Sequence, residues 1–327
     1  MKKNLFLRLW RLLFRFSFPL PCALTLALRI KKNFYALVLA IIILNSVIGC
    51  SKNDLSLQNE KRTSEKNIYS SVISLAPSLT EIMYVIEADS ALAGVTEFCV
   101  YPESAKLKPK IGGYVNLNFE QLMILKPDLI LALPAHRDNF SRFDQMKIPY
   151  KVFSQKTVSD VRESILGIGI LLGKKEKAEN FLKIFDAEFS KKNIVENSKR
   201  PKVLIIVGRE FGHLKNAVCA GRKTFYNDLI EYAGGVNAAP ESDMEYNSVN
   251  AESIVSMNPD IIIEIFAPHS GMIAFKDENL LRKDWDIFPK VNAIKNNKVY
   301  YIIKDYATLP GPRLYLLYRD IKHIIYK

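Results

Sequence analysis

Two tyrosine–glutamate pairs are the residues of this sequence whose type and spacing best suit binding chemistry. Glu120 lies six residues after Tyr114, and Glu252 lies six residues after Tyr246. Aromatic rings offer broad apolar contact surface to a flat ligand, whereas an exposed carboxylate can pair with a basic side chain of another protein. The same spacing in two places predicts a structural unit that occurs twice in the chain.

The two pairs belong to a longer internal repeat. Residues 114–130 and 246–262 align without a gap at an offset of 132 residues. Asn118 matches Asn250 in this alignment, and each segment contains Pro-Asp at the same place. Self-similarity of this kind indicates a duplicated supersecondary unit, and we assign one copy to each of two lobes.

Each copy has the features of a capped helix followed by a strand. The asparagine suits the N-cap position, because its side-chain oxygen can accept a free backbone N–H, and the glutamate falls in the first turn, where the helix dipole favours a carboxylate. The proline ends the helix, since the residue before a proline avoids helical backbone angles. Strands buried on both faces are then predicted at 129–133 and 261–265.

Strands and helices alternate along the rest of the chain. This alternation predicts an α/β fold made of two Rossmann-like lobes with mostly parallel sheets. The carboxyl ends of the strands are where open α/β folds hold ligands. Further strands are predicted at 72–75, 150–153, 203–207 and 299–303, and helices at 78–86 and 223–233.

A long helical connector is predicted between the lobes. Apolar residues recur at helical spacing from Val158 to Leu172, and after Gly173 a second helix runs from Glu176 to about Glu196. At 1.5 Å per residue the second helix spans about 30 Å, enough to cross from one lobe to the other. A rigid helical joint predicts small relative motion of the lobes.

The first 49 residues have the layout of a signal peptide. Basic residues precede the apolar run 34–49, and the run ends at the sequence Val47-Ile48-Gly49-Cys50. This sequence resembles the lipobox of bacterial lipoproteins, which implies that Cys50 is acylated and becomes the first residue. The alternative is an N-terminal membrane anchor with an incidental cysteine. The polar residues that follow, up to residue 67, predict a flexible tether.

Composition excludes several other classes of protein. Residues 1–49 hold eight of the 46 Lys and Arg and no acidic residue, so 38 basic residues face 34 acidic ones in the rest of the chain, and nucleic-acid binding is not expected. Motifs of serine hydrolases, nucleotide-binding loops and zinc proteases are absent from the sequence, so an enzyme is not expected.

Cys99 and Cys219 could pair, or both could be free and buried, and we favour free thiols.

Four stretches together resemble a known family. They are VISLAPSLTEIMYVI, GVTEFCVYP, GGYVNLNFEQLMILKPDLIL and YATLPGPRL. They look like the helical-backbone (class III) periplasmic solute-binding proteins of ABC importers, and most like those that bind cobalamin. The resemblance implies ligand contacts by Phe98, Tyr114, Tyr246 and Arg313, although Arg313 could instead pin its own loop by hydrogen bonds. It also implies that Glu120 and Glu252 dock onto arginines of a dimeric permease.

The resulting expectation is a lipid-anchored, monomeric protein on the periplasmic side of the cell envelope that hands a corrinoid to an ABC importer. Haem or an iron–siderophore is the alternative ligand. His213 is a candidate axial ligand of cobalt or of haem iron. A structural or adhesive role of the protein is a further alternative. No cofactor and no resident metal are predicted. The expected division of the chain is signal peptide 1–49, lipidated cysteine and tether 50–67, N-terminal lobe 68–156, helical connector 157–198 and C-terminal lobe 199–327.

Overall fold

The computed structural model describes residues 69–190, 200–210, 212, 214, 217–267 and 278–327. All of the described residues belong to one compact unit. The signal peptide, Cys50, the tether, residues 191–196 of the predicted connector helix and His213 lie outside the described residues.

The elements of the first lobe are β1 (Val72–Ser74), α1 (Pro77–Val85), β2 (Leu92–Val95), α2 (Phe119–Leu125), β3 (Leu129–Ala132), α3 (Phe140–Gln145) and β4 (Tyr150–Val152). The strands form a parallel sheet with the order β2-β1-β3-β4. The two central strands, β1 and β3, are buried along their whole length, as expected of parallel strands covered on both faces.

Two helices follow the first lobe, α4 (Val158–Leu171) and α5 (Lys175–Ser190). A capping box starts α4, in which the Thr157 hydroxyl accepts from the Asp160 N–H at 3.1 Å and the Asp160 carboxylate accepts from the Thr157 N–H at 3.3 Å. Gly173, at φ +68°, lies in the turn between the helices.

The elements of the second lobe are β5 (Lys202–Gly208), β6 (Ala217–Ala220), α6 (Phe225–Tyr232), β7 (Val236–Asn237), β8 (Tyr246–Val249), α7 (Ala251–Met257), β9 (Ile261–Phe266), α8 (Glu278–Lys283), α9 (Asn292–Lys295), β10 (Val299–Ile303) and α10 (Leu314–Ile325). The strands form a mixed six-stranded sheet with the order β10-β9-β5-β6-β8, and β7 pairs with β5. Strands β10, β9, β5 and β7 pair in parallel, whereas β6 is antiparallel to both of its neighbours.

The α/β class and the mostly parallel pairing are confirmed, and the predicted strands occur within two residues of their predicted ends. The antiparallel strands β6 and β8 were not predicted. Each has only four residues and neither forms a long apolar run, so the sequence pattern gives them no signal.

From the N-cap asparagine to the following strand, the two copies of the repeat adopt the same structure. The Asn118 side-chain oxygen accepts from the Gln121 N–H at 3.0 Å, and the Asn250 side-chain oxygen accepts from the Ser253 N–H at 2.8 Å, so both predicted N-caps are confirmed. Both helices end in a left-handed residue before the proline, at Lys126 in one copy and at Asn258 in the other.

The aspartate after each proline has a matching structural role. The Asp128 carboxylate accepts from the Ser71 N–H at 3.0 Å, and the Asp260 carboxylate accepts from the Lys202 N–H at 2.9 Å. Each aspartate therefore ties its strand to the entry of the neighbouring central strand of the same sheet.

One hydrophobic core runs through both lobes and the connector. It includes Leu131 of the first sheet, Ile165 and Phe185 of the connector, and Ile205 and Leu317 of the second lobe. Separate clusters cover the other face of each sheet. The lobes are thus joined by shared packing as well as by the chain.

Both remaining cysteines of the described chain, Cys99 and Cys219, are free and buried, as favoured from the sequence. Across the ranges that the structure describes, we find no helix with the length and apolar character needed to span a bilayer.

Candidate ligand-binding cleft

Two adjoining cavities open between residues of the first and the second lobe. Their volumes are about 400 Å³ and about 190 Å³. Both are lined by Pro77 and Phe98 from the first lobe and by Thr308 and Leu309 from the second. Because they share these walls, we treat them as one cleft.

The cleft lies at the carboxyl ends of parallel strands of both sheets. Pro77 follows β1, Phe98 follows β2 and Leu133 follows β3. On the opposite side, Ala267 follows β9, and the loop that begins at Asp305 follows β10. This is the position in which open α/β folds bind ligands.

Aromatic rings form much of the first-lobe wall. Phe98 has 58% of its surface exposed and lines both cavities, Tyr101 lines the smaller one and Tyr114 lines the larger one. Burial raises the pKa of the Tyr114 hydroxyl, so it stays neutral near pH 7. An exposed ring beside an open cavity can take a flat apolar ligand without further rearrangement.

His136 supports the Tyr114 ring from behind. The two ring centroids are 4.7 Å apart. The His136 ring is buried, and its Nδ1 accepts from the Leu133 N–H at 2.9 Å. Burial lowers the pKa of His136, so the ring is neutral at physiological pH and packs as an uncharged partner against the tyrosine ring.

Arg313 lines the smaller cavity but is fully engaged with protein groups. Its Nε and Nη2 donate to the two Glu81 carboxylate oxygens at 2.9 and 2.7 Å, and its Nη1 donates to the Asp305 carboxylate at 2.7 Å. Its guanidinium carbon lies 3.7 Å from the centre of the Tyr101 ring. Burial opposes the charge of Arg313, but the hydrogen bonds and charge of Glu81, followed by those of Asp305, outweigh it and raise the pKa.

Of the two roles foreseen for Arg313, the hydrogen-bonding one is observed. The Asp305 contact pins the loop after β10, and the Glu81 contact joins the second lobe to α1 of the first. A direct contact between Arg313 and a ligand stays a prediction.

Tyr246 has a different setting from Tyr114. It begins β8, where it pairs with Ala220, and 41% of its surface is exposed. Among the described residues that line the two cavities, Phe98, Tyr114 and Arg313 are present and Tyr246 is not. Its neighbour Glu245 forms an ion pair with Lys156, at the end of the first lobe, and a ligand contact by Tyr246 stays a prediction.

Glu120 and Glu252 lie outside the cleft lining. Both are exposed and lie in the first turn of α2 and α7, respectively. The residues around them show matching burial, since Leu122 and Ile254 are buried at equivalent positions. Two carboxylates are therefore presented in the same way by the two copies of the repeat.

The sequence did not identify Glu81 and Asp305 as part of the cleft. Glu81 did leave a signal, because it is a lone charge within the apolar run of α1 and lies between the buried residues Leu79 and Ile82. A charge on the buried face of a helix needs a partner. That partner is 232 residues away in sequence, and only the tertiary structure supplies it.

Within the described ranges, no group of three or more His, Cys, Asp or Glu side chains is arranged to hold a metal ion. The described lining of the cleft is mostly aromatic and apolar, and the smaller cavity also contains the ion-pair cluster of Glu81, Arg313 and Asp305.

Comparison with known proteins gives consistent matches over this whole region. The family model described as "Periplasmic binding protein" matches residues 72–306. The ABC transporter substrate-binding lipoprotein YvrC of Bacillus subtilis (strain 168) is 27% identical over 290 residues, which cover 86% of this chain and 85% of YvrC. The high-affinity heme uptake system protein IsdE of Staphylococcus aureus (strain MRSA252) is 29% identical over 283 residues, which cover 84% of this chain and 89% of IsdE.

A solved structure has the same architecture. It is described as that of a possible iron-binding (periplasmic solute-binding) protein from Staphylococcus epidermidis ATCC 12228. It superposes with a TM-score of 0.67 at 26% identity and covers 80% of this chain and 100% of its own. The likeness extends to both lobes and the connector.

Proposed function

Because this chain belongs to the periplasmic binding protein family, we propose that it captures cobalamin or a related corrinoid between its two lobes and delivers it to the permease of an ABC importer. The observation that carries the proposal is the cleft between the lobes, open at the carboxyl ends of both sheets and walled by Phe98, Tyr101 and Tyr114. Exposed rings suit the face of a flat macrocycle.

Haem or an iron–siderophore is the second candidate ligand, and it is favoured by the name of the relative IsdE, a heme uptake protein. The aromatic wall would suit a porphyrin as well as a corrin. The corrinoid is placed first because the stretches around Phe98 and Tyr114 resemble the cobalamin-binding proteins.

The location in the cell is also part of the proposal. We expect Cys50 to carry the lipid that holds the protein on the periplasmic side of the inner or the outer membrane, with the permease dimer and the small-molecule ligand as its partners. The sequence before Cys50 supports this, and so does the likeness to a lipoprotein of Bacillus subtilis. Mass spectrometry of the purified chain would show cleavage before Cys50 and added acyl mass if the anchor is present.

Titration of the full chain, purified in detergent, tests the ligand. We expect cyanocobalamin to bind one to one with a dissociation constant of about 1 μM or lower. Isothermal titration calorimetry and the visible spectrum of the corrin report binding, and haem and a ferric siderophore are titrated in parallel. No heat and no spectral change with cyanocobalamin at high micromolar concentration would reject the corrinoid, while binding of haem alone would select the second candidate.

Replacing Tyr114 by Ala should weaken binding of that ligand by about 10- to 100-fold. The substitution removes an aromatic contact worth about 1.4–3 kcal/mol, and it leaves the His136 ring without its partner at 4.7 Å. Tyr114→Phe should bind nearly as well as the unchanged protein, because the ring is retained. The measurement is the dissociation constant from calorimetry.

Tyr326→Ala is the control for Tyr114→Ala. Tyr326 has 50% of its surface exposed and follows the last helix, away from the cleft. Its removal should leave affinity unchanged. Equal affinities of Tyr114→Ala and the unchanged protein for every ligand would contradict a ligand-binding role of this wall and favour a structural or adhesive protein of the same fold.

A further inference from the structure

Among the described residues that line the smaller cavity, carboxylates outnumber cations. Among the described residues that line the two cavities, Arg313 is the only cation, whereas Glu81 and Asp305 are both carboxylates. Arg313 is 11% exposed, Glu81 is 2% exposed and Asp305 is 39% exposed at the side chain. The more accessible of these charges is therefore a carboxylate.

The edge of Arg313 that would hold a ligand carboxylate is already occupied. A guanidinium binds a carboxylate best through two parallel N–H bonds from one edge. In this structure the Nε and Nη2 edge makes that pair of bonds to Glu81, at 2.9 and 2.7 Å. One face of the guanidinium is covered by the Tyr101 ring, and Nη1 bonds to Asp305.

We propose that Glu81 is a specificity-determining residue, which masks Arg313 so that the smaller cavity accepts neutral groups and disfavours carboxylates. The inference rests on the proposed function, because it describes the ligand that the same cleft would take. A carboxylate brought to this cavity would meet Asp305 without a free guanidinium edge to offset the repulsion. A primary carboxamide carries no charge, and its N–H groups can donate to Asp305.

A preference for neutral groups over carboxylates would distinguish two classes of flat macrocycle. The corrin ring of cobalamin carries carboxamide side chains, whereas haem carries two propionates. Glu81 therefore favours the class of ligand with a neutral, amide-bearing rim. It does so by occupying the guanidinium that a propionate would need.

The test compares ligands that differ only in charge at the rim. One pair is cyanocobalamin and its monocarboxylic acid, in which one amide is hydrolysed, and the other pair is haem and haem dimethyl ester. The relevant pair is the one whose members bind to the full chain. Within that pair, we expect the neutral ligand to bind at least ~10-fold more tightly than the acid. In Glu81→Gln, which removes the charge that masks Arg313, we expect the difference to fall below ~3-fold through a gain in affinity for the acid. Calorimetry at low ionic strength gives the dissociation constants.

Two further variants separate specificity from folding. Asp305→Asn removes a carboxylate from the same cavity, leaves the bidentate bond between Glu81 and Arg313, and should also narrow the difference between neutral and acidic ligands. If circular dichroism shows that Glu81→Gln does not fold, the comparison of neutral and acidic ligands is made with Asp305→Asn instead. Glu97→Gln removes an exposed charge next to Phe98 that lines neither cavity, and it should leave the difference unchanged.

Equal affinity for the two members of the binding pair would overturn the inference, as would an undiminished difference in both Glu81→Gln and Asp305→Asn. A purely structural role of Glu81 predicts the same loss of affinity for both members of a pair, which the comparison would reveal. Failure of all four ligands to bind would instead reject the proposed function, and this inference with it.

Discussion

Replacing Arg209 by Met should lower the free energy of unfolding by about 3–5 kcal/mol, because it leaves a buried carboxylate without its counter-charge. The Arg209 and Glu264 side chains are both fully buried in the second lobe. Arg209 Nε lies 3.1 and 3.0 Å from the two Glu264 oxygens. Chemical denaturation followed by circular dichroism measures the loss.

The cluster around Arg209 explains why this effect should be large. Arg209 also donates to the Asp284 carboxylate at 2.6 Å and to the Leu281 carbonyl at 3.3 Å, and the Trp285 indole N–H donates to Glu264. These bonds join the residues after β5 to the middle of β9 and to the segment at the end of α8. One side chain therefore holds three parts of the second lobe together.

The stability of the Arg209→Met variant should depend on pH in a defined direction. Burial raises the pKa of Glu264 and Arg209 counteracts that rise, so the substitution should raise the pKa further. When a carboxyl group has a higher pKa in the folded protein than in the unfolded chain, its protonation stabilises the fold. This stabilisation is complete below the pKa of the unfolded chain and is lost as the pH rises through the pKa of the folded protein. The deficit relative to the unchanged protein should therefore shrink as the pH is lowered toward the ordinary glutamate value of 4.5.

A more exposed arginine–glutamate pair, Arg319 with Glu188, provides the control. Arg319 donates from Nε and Nη2 to the two Glu188 oxygens at 2.9 and 2.7 Å, but 56% of its side chain is exposed. Arg319→Met should cost about 0–1 kcal/mol, because water screens the charges. The double variant Arg209→Met with Glu264→Gln should recover part of the loss by removing the unpaired charge. Similar losses in Arg209→Met and Arg319→Met would show that burial is not what makes the Arg209 pair important.

Reversing the charge at both Glu120 and Glu252 should reduce uptake of cyanocobalamin more than 100-fold while the affinity of the purified protein for cyanocobalamin stays the same. The two carboxylates are exposed at equivalent positions of the repeat, and neither lines the cleft. If they meet arginines of a two-fold permease, each Glu→Arg change replaces an attraction by a repulsion that costs several kcal/mol. Uptake of labelled cyanocobalamin by cells in which the variant replaces the native protein is the measurement.

The single variants and a matched control define the role of the pair. Glu120→Arg and Glu252→Arg alone should each give an intermediate loss, because one lobe can still dock. Glu163→Arg reverses an exposed charge on α4 and should leave uptake unchanged. Full uptake by the double variant would contradict docking through Glu120 and Glu252. A loss of ligand affinity as large as the loss of uptake would show that the substitutions impair ligand binding rather than docking.

Local features of the structure followed directly from the sequence. The caps at Asn118 and Asn250 form as predicted, since an N-cap depends on residues within a single turn. Strands β3 and β9 appear as apolar runs after a proline, since strands buried on both faces carry little polar sequence. The repeat strengthens the prediction of these caps and strands, because the same pattern of residues produces the same elements twice.

The antiparallel strands β6 and β8 could not be found in this way. Their pairing, with Ala217 opposite Val249 and Ala220 opposite Tyr246, joins segments that are separated in sequence by a helix and another strand. A four-residue strand is defined by its partner more than by its own pattern. The different surroundings of Tyr114 and Tyr246 follow from this pairing.

The sequence by itself determined the α/β class and the duplicated helix–strand unit, because these depend on local spacing and on a repeat within the chain. The tertiary structure alone decided which charges face one another. Glu81 and Glu264 are each visible in the sequence as a charge within an apolar element, but their partners Arg313 and Arg209 are distant in sequence and are selected by folding. A buried charge requires compensation, and only the three-dimensional arrangement specifies which residue provides it.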